Sequence, residues 1–204
     1  GRARQTVLAG IRGGADNARH PGQPRGGHMS TSNVRAALAR LQKVLERHPG
    51  AGLHEDTEAR VSWDGQLACR AHDPAGAEIL TDMPEQCGGT GSQVTPGWLM
   101  RAGLAACGAT CIAMFAARRE IELTHLNVTV RSRSDVRGLL GMADGSSGPV
   151  DAGPVEVELS VEIGARERTA AELEALVAEA CACSPVGRAL GSLTPVRLRV
   201  EAAR

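Results

Sequence analysis

The sequence predicts an α+β fold, because its helices and strands do not alternate in a regular βαβ rhythm. Three observations lead to this class. Residues 96–117 form one long apolar stretch at helical length, residues 155–163 alternate strictly as a strand, and residues 58–72 alternate around an Asp-Gly turn that indicates a hairpin. The chain of 204 residues can bury one good core, so we expect one domain of about 170 residues with a tail.

Composition divides the chain into three segments. Residues 1–28 are rich in Gly and Arg and show no period, so we expect an upstream extension without ordered structure. Residues 29–53 form an N-terminal helical segment, in which Ser32 or Asn33 is expected to cap the helix. Residues 54–204 contain the remaining elements and make up the main domain.

The long apolar stretch has clear helix signals at its start. Thr95 and Pro96 are a favourable N-cap and first-position pair, and the helix is expected to run to about Arg119. Arg101 is the only charged residue between 96 and 117. A helix that is apolar on every face must be enclosed, so we expect protein on all sides of it.

The second half of the chain predicts two strands followed by a helix. Residues 123–130 alternate as a half-buried strand, and every second residue of 155–163 is expected to face inward. Thr169 and Glu172 have the spacing of a capping box before an amphipathic helix. The chain then predicts a short helix or turn over 184–193 and a closing strand over 194–202.

Charge and hydropathy exclude several classes of function. The 23 basic and 23 acidic residues balance, and no basic run interleaves with aromatics, so we expect no nucleic-acid partner. No apolar run reaches membrane-spanning length without a charge, so we expect no membrane partner. The six cysteines come without a secretory signal, which favours reduced thiols and a cytoplasmic location.

The cysteines form two close pairs in helical sequence. Cys107 and Cys111 lie one turn apart on one helix face, and Cys181 and Cys183 lie near the end of a later helix. Cysteine in a tight helix can simply replace alanine in the packing. The two pairs raise two hypotheses, a dithiol redox site and a four-thiolate zinc site. They lack the usual C-x-x-C spacing of zinc, so we expect no zinc site.

The segment around Cys107 resembles a known family. "TPGWLMRAGLAAC" is similar to the start of the central helix in the OsmC/Ohr family, the osmotically inducible and organic hydroperoxide resistance proteins. "CSPVGRAL" with "TPVRLRVE", "DMPEQCGGTGS" and "AGPVEVELSVEI" resemble other family segments in consistent order. The resemblance covers about Glu55 to Glu201. It implies an intertwined α+β homodimer, with two central helices wrapped by curved antiparallel sheets and active sites at the subunit interface.

The resemblance also implies a chemistry. The family reduces organic hydroperoxides without metal or haem, so the resemblance implies no cofactor. Its pattern places Cys107 as the attacking, peroxidatic cysteine. A second thiol then resolves the oxidised sulfur, and an external dithiol reduces the disulfide. Cys183 is our candidate for the resolving thiol. Cys111 is the alternative, although two thiols four residues apart on one helix would require local unwinding to pair.

Two departures from the family pattern leave a second function open. Gly97 stands where the family has a glutamate, and Ser184 stands where the peroxidase branch has the resolving cysteine. The family arginine comes from an early hairpin, where Arg60 and Arg70 are the nearby candidates here. The alternative is a non-catalytic dimeric domain that keeps the fold and a small-molecule pocket but has lost peroxidase activity.

Overall fold

The structure is a computed structural model, and it describes residues 31–145 and 148–191. The chain divides into two compact units, Gly1–Leu99 and Met100–Arg204, and each is described by itself. The expected upstream extension and the expected closing strand lie outside the described residues.

The first unit begins with helix α1, Thr31–Arg47. The helix already includes Ser32 and Asn33. An N-cap residue directly precedes the helix, so the prediction that one of them caps it is wrong. The amides of a first turn need no partner within the helix, so sequence fixes such a boundary only to within a residue or two. A short 3-10 turn over Pro49–Gly52 follows and ends the helical segment near its proline, as predicted.

A three-stranded antiparallel sheet completes the first unit. Its strands are β1, Arg60–Gly65, β2, Ala68–His72, and β3, Glu78–Thr81, in the order β1-β2-β3. The predicted hairpin is confirmed, and Gly65 supplies the positive φ of 106° that its turn requires. Strand β3 was not predicted, because four residues are too few to show a period.

Helix α2, Pro96–Arg118, confirms the predicted apolar helix and its start. The Trp98 amide donates to Thr95 Oγ1 at 3.1 Å, which is the expected cap. By length and composition alone α2 would also pass as a membrane span, a test that the core helices of soluble proteins pass as well.

The buried residues of α2 form one stripe, so the prediction of protein on every side of the helix is not met within residues 31–145 and 148–191. The buried residues recur mainly at intervals of four, as Leu104, Gly108, Ile112, Ala116 and Ala117. Met114 is 36% exposed. Apolar composition predicts that a helix is covered, but it does not say which residues or molecules cover it.

A two-stranded antiparallel sheet lies in the second unit. It consists of β4, Leu123–Ser134, and β5, Pro154–Ala165. Gly108 allows α2 to pack closely here, because a Cβ at that position would lie 3.4 Å from Leu159 Cδ1.

The alternation of β5 was predicted correctly, but its inward face is only partly covered. Leu159, Val161 and Ile163 are half-buried, whereas Val155 and Val157 are 62% and 41% exposed. Period-two alternation identifies a face of a strand, and tertiary contacts decide how much of that face is covered.

The described part of the second unit also contains three helices: α3, Val136–Leu139; α4, Ala170–Ala182; and α5, Pro185–Gly191. The predicted capping box of α4 is confirmed in both directions between Thr169 and Glu172. The core of this unit is a cluster of four buried residues, Ala116, Ile121, Leu173 and Leu176.

Candidate functional site

Cys107 lies in the middle of α2 and meets the residue that opens α5. That residue is Ser184, which is only 3% exposed and donates from Oγ to Cys107 Sγ at 3.1 Å. Ser184 precedes Pro185, an N-cap and first-position pair of the same kind that opens α2. The contact therefore joins the centre of one helix to the start of another.

The first turn of α5 fixes the direction of the Ser184 hydroxyl. The Gly187 amide donates to Ser184 Oγ at 3.2 Å, as in an N-cap. The backbone amide of Val186, in the same turn, also lowers the pKa of Cys107. Cys107 therefore receives the proton of a hydroxyl that the first turn of α5 holds in place.

These contacts set the charge state of the sulfur. Burial by itself raises the pKa of the Cys107 thiol, because an apolar environment disfavours the thiolate. Hydrogen bonds from Ser184, Val186 and Cys111 outweigh burial, so the pKa of Cys107 lies below the ordinary value of a cysteine. The site therefore favours the reactive thiolate at Cys107.

The pKa values of the neighbouring thiols, Cys111 and Cys181, are shifted in the opposite direction. Burial raises the pKa of Cys111, and a negative charge on Cys107 raises it further. Burial also raises the pKa of Cys181. Cys107 therefore ionises more readily than Cys111.

The structure does not bring the Cys183 thiol into this set of hydrogen bonds. Cys183 is the exposed C-cap residue of α4, and its backbone carbonyl, not its sulfur, accepts a long contact of 4.0 Å from Cys111 Sγ. The single proton of Cys111 can serve either that carbonyl or Cys107. The resolving role of Cys183 stays a prediction.

A cavity of about 550 Å³ adjoins the Cys107 contact through Ser184. Apolar residues of α2, β5 and α4 line it together with Cys181, Ser184 and Arg188. The lining residues are Leu104, Leu159, Val161, Val177, Cys181, Ser184, Gly187 and Arg188. Such a cavity is suited to an apolar small molecule with one polar group.

The arginines named from the sequence have other partners within their own units. Arg60 pairs with Glu58 at 2.6 Å, and Arg70 bridges the carboxylates of its hairpin neighbours at 2.9 and 3.0 Å. Arg101 donates to Ser132 Oγ at 3.2 Å. Among the described residues of the second unit, no cation hydrogen-bonds Cys107, whose thiolate is stabilised there by neutral donors.

The sequence missed the role of Ser184, although it carried a usable signal. A serine directly before a proline and a short helical stretch is an N-cap pattern. The pattern could predict the cap, but the approach of α2 to that cap is a tertiary contact.

Among the described residues, no group of three or more His, Cys, Asp or Glu side chains is arranged to hold a metal ion.

Comparisons with known proteins agree with this architecture. The family described as OsmC-like protein matches residues 89–199, more than half of the chain. A search of curated proteins gave no match.

Solved structures share the fold at low sequence identity. An OsmC-like protein from Mycoplasma pneumoniae has a TM-score of 0.57 and 17% identity, over 69% of this chain and 91% of its own. An OsmC-like protein of unknown function from Vibrio cholerae has a TM-score of 0.54 and 14% identity, over 66% and 92%. An organic hydroperoxide resistance protein from Elizabethkingia anophelis has a TM-score of 0.51 and 20% identity, over 67% and 90%. These three structures confirm the predicted α+β fold, which the chain shares with them.

Proposed function

The chain belongs to the OsmC family, and from that premise we propose that it is a thiol-dependent peroxidase that reduces organic hydroperoxides to alcohols. The observation that supports this most is the contact of Ser184 Oγ with Cys107 Sγ at 3.1 Å. A thiolate is the nucleophile in thiol chemistry, and the hydrogen bonds around Cys107 favour that form. The Elizabethkingia anophelis protein that shares the fold is itself named an organic hydroperoxide resistance protein.

The first step is attack of the Cys107 thiolate on the terminal oxygen of the hydroperoxide. A sulfur–oxygen bond forms and the oxygen–oxygen bond breaks. The alkoxide takes up a proton and leaves as the alcohol, and Cys107 becomes a sulfenic acid. The sulfur is oxidised by two electrons and the peroxide is reduced by two.

The second step returns Cys107 to the thiol. The sulfenic acid condenses with the thiol of Cys183, forming a disulfide and releasing water, and an external dithiol reduces that disulfide by exchange. Cys183 is exposed, which makes it accessible to a reductant, and it directly precedes Ser184 in the chain. A local movement at the junction of α4 and α5 is needed to bring its sulfur to Cys107.

The cavity favours an organic hydroperoxide over hydrogen peroxide. Four apolar side chains line it, Leu104, Leu159, Val161 and Val177. Burying an apolar group against such walls contributes about 25 cal/mol per Å², whereas hydrogen peroxide has no apolar group to bury. The proposed substrate therefore has an apolar body and one peroxide group.

We also propose that the protein acts as a homodimer. Met114 on α2 and Val155 and Val157 on β5 expose apolar surface that a second copy would cover. Light scattering on the purified protein should give twice the chain mass. Val157→Glu should shift the mass toward the monomer, whereas Glu156→Gln, on the opposite face of β5, should not. A monomeric parent would contradict this proposal.

The peroxidase proposal is tested by following cumene hydroperoxide with a dithiol reductant. The parent should consume the peroxide, and Cys107→Ser should abolish consumption. Cys87→Ser, which removes an exposed thiol of the first unit, is the matched control and should retain most of it. Mass spectrometry after one equivalent of peroxide should show a disulfide between Cys107 and Cys183. A parent without turnover, with Cys107 unoxidised, would overturn the proposal.

Ser184 also favours a second candidate function. Serine cannot form a disulfide, and it stands where the peroxidase branch of the family has a cysteine. The alternative is a non-catalytic small-molecule-binding domain that uses the cavity beside Ser184. This alternative predicts that 2-phenyl-2-propanol, the alcohol formed from cumene hydroperoxide, binds with equal affinity to the parent and to Cys107→Ser. It also predicts that neither protein consumes peroxide.

A further inference from the structure

We propose that Ser184 is a positioning residue for Cys107. Its hydroxyl can donate its proton only toward the sulfur, and this hydrogen bond orients the thiolate for attack. This inference rests on the proposed function. It deepens that function by assigning a role to a residue that the peroxide does not need to touch.

The direction of the hydroxyl follows from its two contacts. A serine hydroxyl has one proton to donate and lone pairs to accept with. The Gly187 amide donates to Ser184 Oγ at 3.2 Å, so an accepting site is occupied. Cys107 Sγ lies 3.1 Å from the same oxygen and receives the proton.

Burial makes this arrangement persistent. Ser184 is 3% exposed, so water has little access to its oxygen. The side chain also caps α5, and the Arg188 amide donates to the Ser184 carbonyl at 2.9 Å. A rotation of Ser184 away from Cys107 would break the cap, so the helix start keeps the hydroxyl in place.

A serine at this position differs from a cysteine in two respects. An S–H group is a weak donor, whereas an O–H group is a strong one, so serine stabilises a neighbouring thiolate better. Serine also cannot condense with a sulfenic acid to form a disulfide. The resolving thiol must therefore reach Cys107 from another position.

The test compares Ser184→Ala and Ser184→Gly with the parent by the rate at which iodoacetamide alkylates Cys107 between pH 6 and pH 10. Losing a hydrogen bond to a charged group should slow alkylation at pH 7 by about tenfold, and the deficit should vanish at high pH where the thiolate forms without help. Ser184→Thr, which keeps the hydroxyl, should follow the parent. Ser132→Ala, which removes another hydrogen-bonded serine, is the matched control and should also follow the parent.

The glycine variant keeps the test valid if the alanine variant does not fold, because glycine at an N-cap costs only a few tenths of a kcal/mol. An unchanged pH profile in the folded variant would overturn the positioning role. Alkylation requires no peroxide, so this result is independent of turnover. Failure of the parent to oxidise at Cys107 would instead overturn the proposed function.

Discussion

Cys107 Sγ and Ser184 Oγ lie 3.1 Å apart although 77 residues separate them in the sequence. The contact places the sulfur at the first turn of α5, whereas Cys111, one turn along α2, contacts the Cys183 carbonyl at the end of α4. Two cysteines of one helix thus face two different helix ends. A helix start presents free amide protons and a helix end presents free carbonyls, so the first position favours a thiolate and the second a protonated thiol.

The first prediction concerns the order in which the three half-buried thiols of the second unit, Cys107, Cys111 and Cys181, react. At pH 7, Cys107 should be alkylated faster than Cys111 and Cys181, because its pKa is lowered and theirs are raised. Brief treatment with iodoacetamide followed by peptide mass mapping measures this order. The difference should shrink as the pH rises through the ionisation of all three thiols. Faster labelling of Cys181 than of Cys107 at pH 7 would contradict the prediction.

The second prediction concerns the variant Ser184→Cys. The introduced thiol would lie against Cys107, so one equivalent of cumene hydroperoxide should produce a disulfide between them with loss of two hydrogens. Mass spectrometry of the unreduced protein measures this bond. The same treatment of Ser184→Cys combined with Cys107→Ser is the control and should give no such bond. Persistence of a free sulfenic acid on Cys107 would show that the two side chains do not meet in solution.

The sequence predicted the elements whose signals are local. The cap at Thr95, the capping box at Thr169 and the hairpin at Gly65 all depend on residues within a few positions of one another. The short strand β3 was missed because it is recognised by its pairing with β2, through contacts such as Cys69 with Thr81.

The candidate site was predictable only in part. The helical sequence around Cys107 identified the cysteine, but nothing local indicates that Ser184 donates to it. Cys183 directly precedes the position of the family's resolving cysteine, which made it the predicted resolving thiol. The register of the α4–α5 junction decides which side chain contacts Cys107. In the structure that side chain is Ser184.

The third prediction concerns the hydrophobic core of the second unit. Leu176 on α4 is fully buried among Ala116, Ile121 and Leu173. Leu176→Ala should lower the free energy of unfolding by about 2–5 kcal/mol, because it leaves a cavity in a packed cluster. Leu139→Ala is the control, since Leu139 is 61% exposed, and it should change stability by less than about 0.5 kcal/mol. Urea unfolding measures both, and equal effects would contradict the observed burial.

The fourth prediction concerns the pH dependence of α4. The amide and hydroxyl of Thr169 donate to the Glu172 carboxylate, at 2.8 and 2.9 Å, and hold the pKa of that carboxyl below its ordinary value. A carboxyl with a lowered folded-state pKa stabilises the fold above its unfolded-state pKa, and this stabilisation is lost as the pH falls through the folded-state value.

Glu172→Gln should therefore be less stable than the parent at pH 7, and the difference should disappear on acidification. Thermal unfolding of both proteins from pH 7 to pH 3 measures it. In a Thr169→Val background, which removes the hydroxyl donor, the same substitution should have a smaller effect. A difference that stays constant down to pH 3 would mean that the carboxylate charge at the start of α4 does not contribute to stability.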